Sequence, residues 1–353
     1  MHPVADPPSP PRVSVVVVNW NRKDYLRACL RSLASQTFGD FEVIVVDNAS
    51  ADGSAEMVER EFASAGSLRI RLIRNAENRG FCAANNQGFA ASRSPLVALL
   101  NNDAEADPHW LGEMVRVIEE RPEAGMIACK SLIWDDPSRI DKAGHLIYPD
   151  GQNRGRGTGE VDRGQYDRIE EVAWPDGAAC LYRRAALDQC GGFDEDFFMF
   201  GDDAELGLRL RIAGWKCYYV PTATVRHRRG GSAAVGSSFR LYMIERNRVL
   251  LALKLFPWRL LVWNPFYYAA RLAAGLKAAA AGRGEIAKYE GPLGKARAAS
   301  AMLKGDLAAL WAAPRILAKR KEVRRLARLK PAEICALIER FRIPLAELTE
   351  RSH

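Results

Sequence analysis

Hydrophobic positions near the start of the chain come in two nearly unbroken β-branched runs. They cover residues 13–18 and 43–46, and a run without polar alternation predicts a strand that is buried on both faces of a parallel sheet. Between the runs, Leu26, Leu30 and Leu33 recur at helical spacing. A strand, a helix and a strand within about 35 residues indicate a βαβ unit, which closes right-handed and leaves its loops at the carboxyl ends of the strands.

The same alternation continues downstream and predicts an α/β fold with a mainly parallel nucleotide-binding sheet. The pattern predicts a helix over residues 53–65, a strand over 68–73, a helix over 81–92 and a strand over 96–100. In such sheets, ligands bind in the crevice beyond the carboxyl ends of the strands. Polar residues follow the first, second and fourth predicted strands, namely Asn19, Asn21, Asp47, Asn48, Asn101, Asn102 and Asp103.

The pattern changes twice in the rest of the chain. Residues 129–172 have few periodic signals and many Gly, Arg and Asp residues, so an irregular excursion is expected there. Order returns at Trp174, and beyond His227 helical segments mix Leu and aromatic residues with Arg and Lys. We predict a disordered, proline-rich leader without a signal-peptide pattern at residues 1–12, a nucleotide-binding domain at 13–235 and a C-terminal helical region at 236–353.

The net charge of +8 is unevenly placed along the chain. Residues 254–330 hold 17 Lys or Arg against 4 Asp or Glu, whereas the remainder holds 34 against 39. The basic part also carries Trp258, Trp263 and Phe266, and this combination is typical of helices that lie on an anionic membrane surface. A helical coat with a solvated basic face, or a contact in an oligomer, is the alternative. No stretch of about 18 uncharged apolar residues predicts a membrane span.

The cysteines and the motifs that are missing narrow the class of protein. The seven cysteines are scattered and show no metal-binding or CxxC spacing, which is typical of reduced thiols in a cytoplasmic protein. No GxGxxG follows the first strand, so a dinucleotide-dependent redox enzyme is not favoured. The basic region has no nucleic-acid-reading motif, and the strand ends are acidic, so no nucleic-acid partner is expected.

Two of the polar clusters at predicted strand ends suit binding of a nucleotide and a cation. Asp47 stands at the rim, where a carboxylate can accept hydrogen bonds from a base or a ribose, although an N-cap or Asx turn would also explain it. Asp103 and its neighbours Asn101 and Asn102 offer hard oxygen ligands, which can hold Mg²⁺ or Mn²⁺ against a diphosphate. A metal-free Asn-Asp turn is the alternative.

A third cluster and a single histidine add candidates for catalysis. Residues 191–206 mix aromatic residues with six carboxylates, and a predicted helix that begins near Asp203 places this carboxylate at the positive end of a helix dipole. An ionised carboxylate near a hydroxyl can act as a general base. His227 lies among arginines and glycines in residues 225–232. A single histidine is usually structural, but the arginines suit phosphates.

Together these motifs resemble the family 2 glycosyltransferases with the A-type nucleotide-binding fold, and within them the bacterial rhamnosyltransferase-like branch. The resemblance covers residues 13–232, about two thirds of the chain. It implies that Asp47 holds the base or ribose of the donor. The implied donor nucleotide pocket also includes Asn19, Asn21, Asn48, Asn78, Gly80, Asn85, Asn101 and Asn102.

The resemblance also implies the metal ligands, the base and the acceptor side. Asn101 takes the first acidic position of the family's DxD metal motif, which leaves Asp103 as the main metal ligand beside His227. Asp203 is implied as the catalytic base, and the rest of its acidic motif consists of Asp202 and Glu205. The turn implied to face the acceptor contains Trp174, Asp176 and Gly177.

The function implied by the resemblance is metal-dependent, inverting transfer of a single sugar from a nucleoside diphosphate sugar. The donor would be dTDP-rhamnose or a UDP-sugar, and the acceptor a saccharide or a polyprenyl-linked saccharide in cell-envelope polysaccharide synthesis. The expected location is cytoplasmic, at the inner face of the cell membrane. A non-catalytic nucleotide-sugar-binding or membrane-associated scaffold protein is the alternative. A processive polysaccharide synthase is disfavoured, because the chain has neither predicted transmembrane helices nor a QxxRW motif.

Overall fold

The computed structural model describes residues 10–63, 68–228, 237–289 and 291–350. Three of the predicted features lie wholly or partly outside the described residues. They are residues 1–9 of the predicted leader, residues 64–65 of a predicted helix and the predicted domain boundary at 235–236. Positions 229–232 of the histidine motif also lie outside the described residues. The division into domains therefore stays a prediction.

The described residues form twelve strands and eleven α-helices. The strands are β1 (Val13–Asn19), β2 (Phe41–Asp47), β3 (Ile70–Arg74), β4 (Leu96–Leu100), β5 (Ala104–Ala106), β6 (Ala124–Ile133), β7 (Ile140–Lys142), β8 (His145–Ile147), β9 (Asn153–Gly155), β10 (Glu170–Val172), β11 (Ala179–Arg183) and β12 (Lys216–His227). The helices are α1 (Lys23–Ala34), α2 (Ser54–Val58), α3 (Gly80–Ala91), α4 (Trp110–Glu120), α5 (Arg184–Cys190), α6 (Asp202–Ile212), α7 (Ser238–Leu255), α8 (Trp258–Ala280), α9 (Gly291–Leu326), α10 (Pro331–Arg340) and α11 (Leu345–Glu350).

Ten of the described strands form one sheet in the order β10-β12-β6-β11-β4-β1-β2-β3, with β5 on β12 and β7 on β6. Strands β4, β1, β2 and β3 run parallel, as the βαβ pattern predicts. Strand β11 is antiparallel to both β4 and β6, whereas β6 and β12 are parallel to each other. The predicted α/β class is confirmed, and β11 makes the sheet mixed.

Residues 129–172 are more ordered than the sequence indicated. They contain the end of β6 and the short strands β7, β8, β9 and β10, so the expectation of an irregular excursion is wrong for these parts. Each of the four short strands has only three residues, which is too short to show a period of two. Their positions are set by pairing: β7 pairs with β6, β10 pairs with β12, and β8 and β9 pair with each other.

Both faces of the sheet are covered, which explains the unbroken apolar runs. On β1, Val13, Val15 and Val17 pack in one core cluster with residues of α1 and α4, whereas Val16 packs in a second cluster with residues of α3, α5 and α6. Alternate side chains of a strand point to opposite faces, and full burial of each valine contributes about 1.5–3 kcal/mol. The two layers hold the carboxyl ends of β1, β2 and β4 together at one edge.

The C-terminal helices pack onto the α/β core. Helix α7 lies along α9 and against α6. Lys254 of α7 forms buried ion pairs with Asp194 and Glu205, with N–O distances of 2.5 and 2.7 Å. Arg320 of α9 donates to backbone carbonyls near the end of α7. The predicted C-terminal helical region is confirmed, and no helix in the described part of the chain is long and apolar enough to cross a bilayer.

Candidate active site

A cleft of about 310 Å³ lies where β4 and β12 end and β11 begins. It is lined by this edge of the sheet, by the β8–β9 hairpin, by the start of α6 and by one face of α7. Of the residues predicted from the sequence, the lining includes Asn101, Asp103, Asp176, Gly177, Asp202, Asp203 and His227. Residues predicted for the metal, the base and the acceptor side thus meet in one cavity.

Asp103 and His227 are brought together by the antiparallel pairing of β5 with β12. The register places His227 opposite Ala104, and the Arg228 N–H donates to the Asp103 carbonyl at 2.9 Å. Nε2 of His227 lies 3.4 Å from Oδ1 of Asp103, and Nδ1 lies 2.8 Å from Oδ2 of Asp141. Burial lowers the pKa of His227, but the neighbouring carboxylates of Asp103 and Asp141 outweigh burial and raise it to about 10.

The pair Asp103–His227 fits a divalent cation that displaces the proton on Nε2 of His227, because a histidine ligand must be neutral. Oδ1 of Asp103 is buried and has no hydrogen-bond partner within the described residues. Two ligand atoms on one metal ion lie about 3 Å apart, close to the 3.4 Å between this oxygen and Nε2 of His227. Asp141 contacts the other ring nitrogen, as carboxylates commonly do behind metal-binding histidines. The sequence did not indicate Asp141, which lies on a three-residue strand.

Asp203 lies in the first turn of α6, as the sequence predicts. Its Oδ1 accepts from the Ala204 N–H at 2.8 Å, and its Oδ2 accepts from the Gly177 N–H at 3.4 Å. Burial, together with the charge of Asp203, raises the pKa of Asp202 to about 8. Asp202 is therefore mostly protonated at neutral pH, and Asp203 is the member of the pair that is suited to accept a proton.

Of the residues predicted for the donor nucleotide, only Asn101 lines the cleft, and two residues predicted for catalysis and the acceptor side do not line it. Glu205, expected among the catalytic residues, is fully buried and forms ion pairs with Arg209 and Lys254 at 2.8 and 2.7 Å. Burial alone would raise the pKa of Glu205, but both cations lower it. Trp174, expected on the acceptor side, is also buried and packs closely on Gly207, where a Cβ would lie 2.2 Å from the Trp174 side chain. Both residues therefore support α6.

The residues predicted for the donor nucleotide form a hydrogen-bonded network at the ends of β1, β2 and β4. Asn19 donates to Asp47 at 3.1 Å and accepts from Asn102 at 2.7 Å. Asp47 also accepts from the Ser50 N–H at 3.0 Å and so holds the loop that follows β2. In the adjoining loops, Asn21 accepts from the Ala51 N–H, and Asn48 and the Gly80 N–H donate to Asn78. Asn85 lies within α3 and donates to the Phe81 carbonyl one turn earlier. Their contact with a nucleotide stays a prediction.

Helix α7 supplies a wall of the cleft that the sequence did not indicate. Its lining residues include Arg240, Ile244 and Asn247. The Nδ2 group of Asn247 donates to three backbone carbonyls in the loop at residues 197–200, at 2.7–2.9 Å. In this loop Phe198 and Phe200 have φ values of 61° and 65°, a conformation that costs about 1–3 kcal/mol per residue. The C-terminal region therefore holds a strained loop directly before α6.

Two further titratable side chains in the cleft, Lys142 and His145, were also not identified from the sequence. Nζ of Lys142 lies 2.5 Å from Oδ2 of Asp176, and Nε2 of His145 lies 3.5 Å from Oδ2 of Asp203. Burial lowers the pKa of Lys142, but the surrounding carboxylates raise it by more, so its ammonium group is charged. Both residues lie in or next to short strands, where a single lysine or histidine carries no sequence signal.

Comparison with known proteins gives a family match and several relatives. The profile described as Glycosyltransferase like family 2 matches residues 10–250. The uncharacterized protein y4gI of Sinorhizobium fredii is 34% identical over 239 residues, which cover 63% of this chain and 25% of that protein. The N-acetylglucosaminyl-diphospho-decaprenol L-rhamnosyltransferase of Mycobacterium tuberculosis is 29% identical over 241 residues, which cover 62% of this chain and 76% of the relative.

A solved structure shares the fold. GalNAc-T7 with UDP, GalNAc and Mn²⁺ superposes with a TM-score of 0.57 at 15% identity, over 70% of this chain and 48% of that chain. The chain thus spans a quarter of the length of y4gI and about half of the GalNAc-T7 chain. Since the family profile matches more than half of the chain, this protein belongs to the glycosyltransferase like family 2, and its fold is the A-type glycosyltransferase fold.

Proposed function

We propose that this protein is a metal-dependent, inverting glycosyltransferase that moves a single sugar from a nucleoside diphosphate sugar to an acceptor hydroxyl. The observation that carries the proposal is one cleft that holds both Asp203, a carboxylate suited to act as a base, and the cation-binding pair Asp103–His227. Displacement at an anomeric carbon needs a proton acceptor for the nucleophile and positive charge near the leaving group. Family membership supports sugar transfer as the reaction.

In the proposed reaction, Asp203 accepts the proton of the acceptor hydroxyl as that oxygen attacks the anomeric carbon. The new C–O bond forms on the face opposite the leaving group. The bond between the anomeric carbon and the phosphate oxygen breaks, and its electron pair leaves with the nucleoside diphosphate. A single displacement inverts the configuration and requires no covalent bond to the protein. The N–H groups of Gly177 and Ala204 hold the Asp203 carboxylate during this step.

Asp103 and His227 are the residues that would hold the divalent cation. When bound, such a cation would act as a Lewis acid and stabilise the charge that develops on the leaving diphosphate. Asp141 keeps the His227 ring oriented through the 2.8 Å contact at Nδ1. A nitrogen ligand favours Mn²⁺ over Mg²⁺, because Mg²⁺ is bound mainly by oxygen.

The donor and the acceptor are proposed from the Mycobacterium tuberculosis relative. Its name specifies rhamnosyl transfer to N-acetylglucosaminyl-diphospho-decaprenol, which favours dTDP-rhamnose over a UDP-sugar and a polyprenyl-linked saccharide as acceptor. The network around Asn19 and Asp47 would bind the nucleotide, and Asp176 and Gly177 would face the acceptor. Such an acceptor would place the reaction in cell-envelope polysaccharide synthesis.

Removal of the Asp103 carboxylate is expected to abolish the metal dependence of donor binding. We expect Asp103→Ala to weaken Mn²⁺-supported binding of the matching nucleoside diphosphate by about 10–100-fold, the range seen when the support of a metal site is lost, and to leave metal-free binding unchanged. Calorimetric titration with UDP, dTDP and GDP, with and without Mn²⁺ or Mg²⁺, measures the effect and identifies the donor nucleotide.

Asp107→Ala is the matched control for this titration, because Asp107 is exposed and does not line the cleft. Equal Mn²⁺ dependence in Asp103→Ala and in the wild type would contradict the cation site. Failure of all three diphosphates to bind folded wild-type protein would instead favour a non-catalytic scaffold.

The surface of α8 and α9 supports a proposed contact with an anionic membrane at the inner face of the cell membrane. Large apolar side chains are exposed on both helices, with Phe266 67% and Trp311 90% accessible. These side chains include Trp258, Val262, Trp263 and Phe266 on α8, and Leu303, Leu307, Leu310 and Trp311 on α9. Exposed Arg259 and Lys304 on the same helices suit anionic headgroups. This surface would bring the cleft to a lipid-linked acceptor.

Replacing three exposed aromatic residues is expected to weaken membrane binding without changing the fold. We expect the triple variant Trp263→Ser, Phe266→Ser and Trp311→Ser to lose most of its co-flotation with phosphatidylcholine–phosphatidylglycerol vesicles, because insertion of these side chains buries apolar surface. Trp20→Ser is the control, since Trp20 is half exposed at the end of β1. Flotation of the triple variant at the wild-type level would contradict the membrane surface, and a loss of mass in sedimentation would indicate an oligomer contact instead.

A further inference from the structure

His145, the first residue of β8, faces Asp203 in the cleft. Its ring stacks on the indole of Trp174, with centroids 6.1 Å apart and planes at 25°. Pairing with Gly155 across the β8–β9 hairpin fixes its backbone, and its side chain is only 5% exposed. Nε2 of His145 lies 3.5 Å from Oδ2 of Asp203. The imidazole is therefore held in a fixed place beside the proposed base.

Both ring nitrogens of His145 are buried without a hydrogen-bond partner among the described residues. Leaving a buried polar group without a hydrogen bond is costly, and such a group in a native protein needs an explanation. Burial lowers the pKa of His145, so the ring is neutral and carries one N–H. The charged groups that face the ring are Asp203 on α6, Lys142 and Asp141 on β7, and Asp176 before β11.

Asp203 has one well-held oxygen and one weakly held oxygen. Oδ1 accepts from the Ala204 N–H at 2.8 Å, whereas Oδ2 reaches the Gly177 N–H only at 3.4 Å. A donor on Nε2 of His145 would fix Oδ2 after a small shift of either side chain. We propose that His145 is a positioning residue for Asp203, donating its Nε2–H to Oδ2 and so holding the carboxylate in the orientation that receives the acceptor proton. This inference rests on the proposed function.

A metal ion is the rival explanation for the same side chains. His145, Asp176 and Asp203 each offer a ligand atom, and these atoms lie within 4.8 Å of one another. However, the ammonium group of Lys142 already lies 2.5 Å from Asp176 and supplies a cation there. A metal ion on Asp203 would also occupy the lone pairs that a base needs. The arrangement therefore favours an N–H donor over a metal ligand.

The protonation of His145 can be tested without donor or acceptor, by ¹⁵N spectra of the full chain labelled at histidine. His145→Gln assigns the signal. We expect a neutral ring protonated at Nε2 at neutral pH. We also expect the Nε2 signal to shift in Asp203→Asn but not in Asp188→Asn, a change at an exposed carboxylate of α5. A ring protonated at Nδ1, or an Nε2 signal that does not shift in Asp203→Asn, would overturn the proposal.

Addition of Mn²⁺ alone distinguishes the positioning role of His145 from a metal-ligand role. The protein used is the double variant Asp103→Ala with His227→Gln, which lacks the proposed cation site. Selective broadening of the His145 signal in this variant would show a metal ligand and overturn the proposal, whereas an unchanged signal supports it. Nucleoside diphosphate binding by the wild type is measured in parallel. Its absence would count against the proposed function, while the spectra still decide the role of His145.

The rate of transfer gives the second measurement, with dTDP-rhamnose as the donor and a short-chain polyprenyl diphosphate N-acetylglucosamine as the acceptor. A misplacement of about 1 Å costs on the order of 100-fold in rate, so we expect His145→Ala to lower kcat by about that factor with the donor KM unchanged. His145→Gln should recover most of the rate, because its amide N–H can take the place of Nε2–H. A His145→Gln variant as slow as His145→Ala, or a His145→Ala variant at the wild-type rate, would overturn the proposal.

Discussion

Asp203→Asn is expected to abolish sugar transfer, with kcat lowered by about 10²–10⁴-fold, the usual contribution of a general base. The amide keeps the size of the side chain and can still accept from the Gly177 N–H, but it has no basic oxygen to take the acceptor proton. Binding of the nucleoside diphosphate should be unchanged, because the predicted donor network around Asn19 and Asp47 is built on the ends of other strands. Initial rates and calorimetry measure the two effects separately.

Asp202→Asn is the matched comparison, since it makes the same chemical change one residue earlier. Burial and the neighbouring charge raise the pKa of Asp202 to about 8, so its side chain is already neutral near pH 7 and an amide resembles it. We therefore expect a much smaller loss of rate than in Asp203→Asn. The opposite order of the two rates would reverse the roles of the two carboxyl groups.

The sheet and its functional edge could be predicted because their residues follow local patterns. The apolar run of β1 is continuous because one core cluster covers Val15 and another covers Val16. Parallel strands in register bring their ends together, and the pairing of Asn19 with Asp47 across β1 and β2 is a direct consequence. Polar residues that follow buried strands therefore lie together at one edge of the sheet, and their role in binding stays a prediction.

The support of the site could not be predicted because it depends on contacts between distant segments. Asp141 and His145 lie on strands of three residues, whose positions are set by pairing and not by a pattern in the sequence. The resemblance placed Glu205 in the acidic motif of the catalytic residues, and the sequence does not show that Lys254 of another helix neutralises it. The same limit applies to α7, which looked like part of a separate region and proves to be a wall of the cleft.

Lys254 connects the C-terminal helices to α6, which carries Asp203, the proposed base. Its ammonium group lies between Asp194, before α6, and Glu205, within α6, and all three side chains are at most 5% exposed. Arg209 and Lys319 add further contacts to the same two carboxylates. The C-terminal region is therefore joined to α6 by charge as well as by packing, and loss of one cation would leave two carboxylates partly uncompensated in the interior.

Lys254→Met is expected to lower the free energy of unfolding by about 3 kcal/mol, the lower end of the cost of breaking a buried ion pair, because Arg209 and Lys319 still contact the two carboxylates. Urea unfolding followed by circular dichroism measures the change. Lys277→Met is the control, since Lys277 is exposed on α8 and such a change stays within about 0.5 kcal/mol. Adding Glu205→Gln to Lys254→Met should restore part of the stability, because it removes one of the buried charges that the lysine neutralised. Equal stability of Lys254→Met and Lys277→Met would show that packing alone, and not charge, holds the C-terminal helices on the catalytic core.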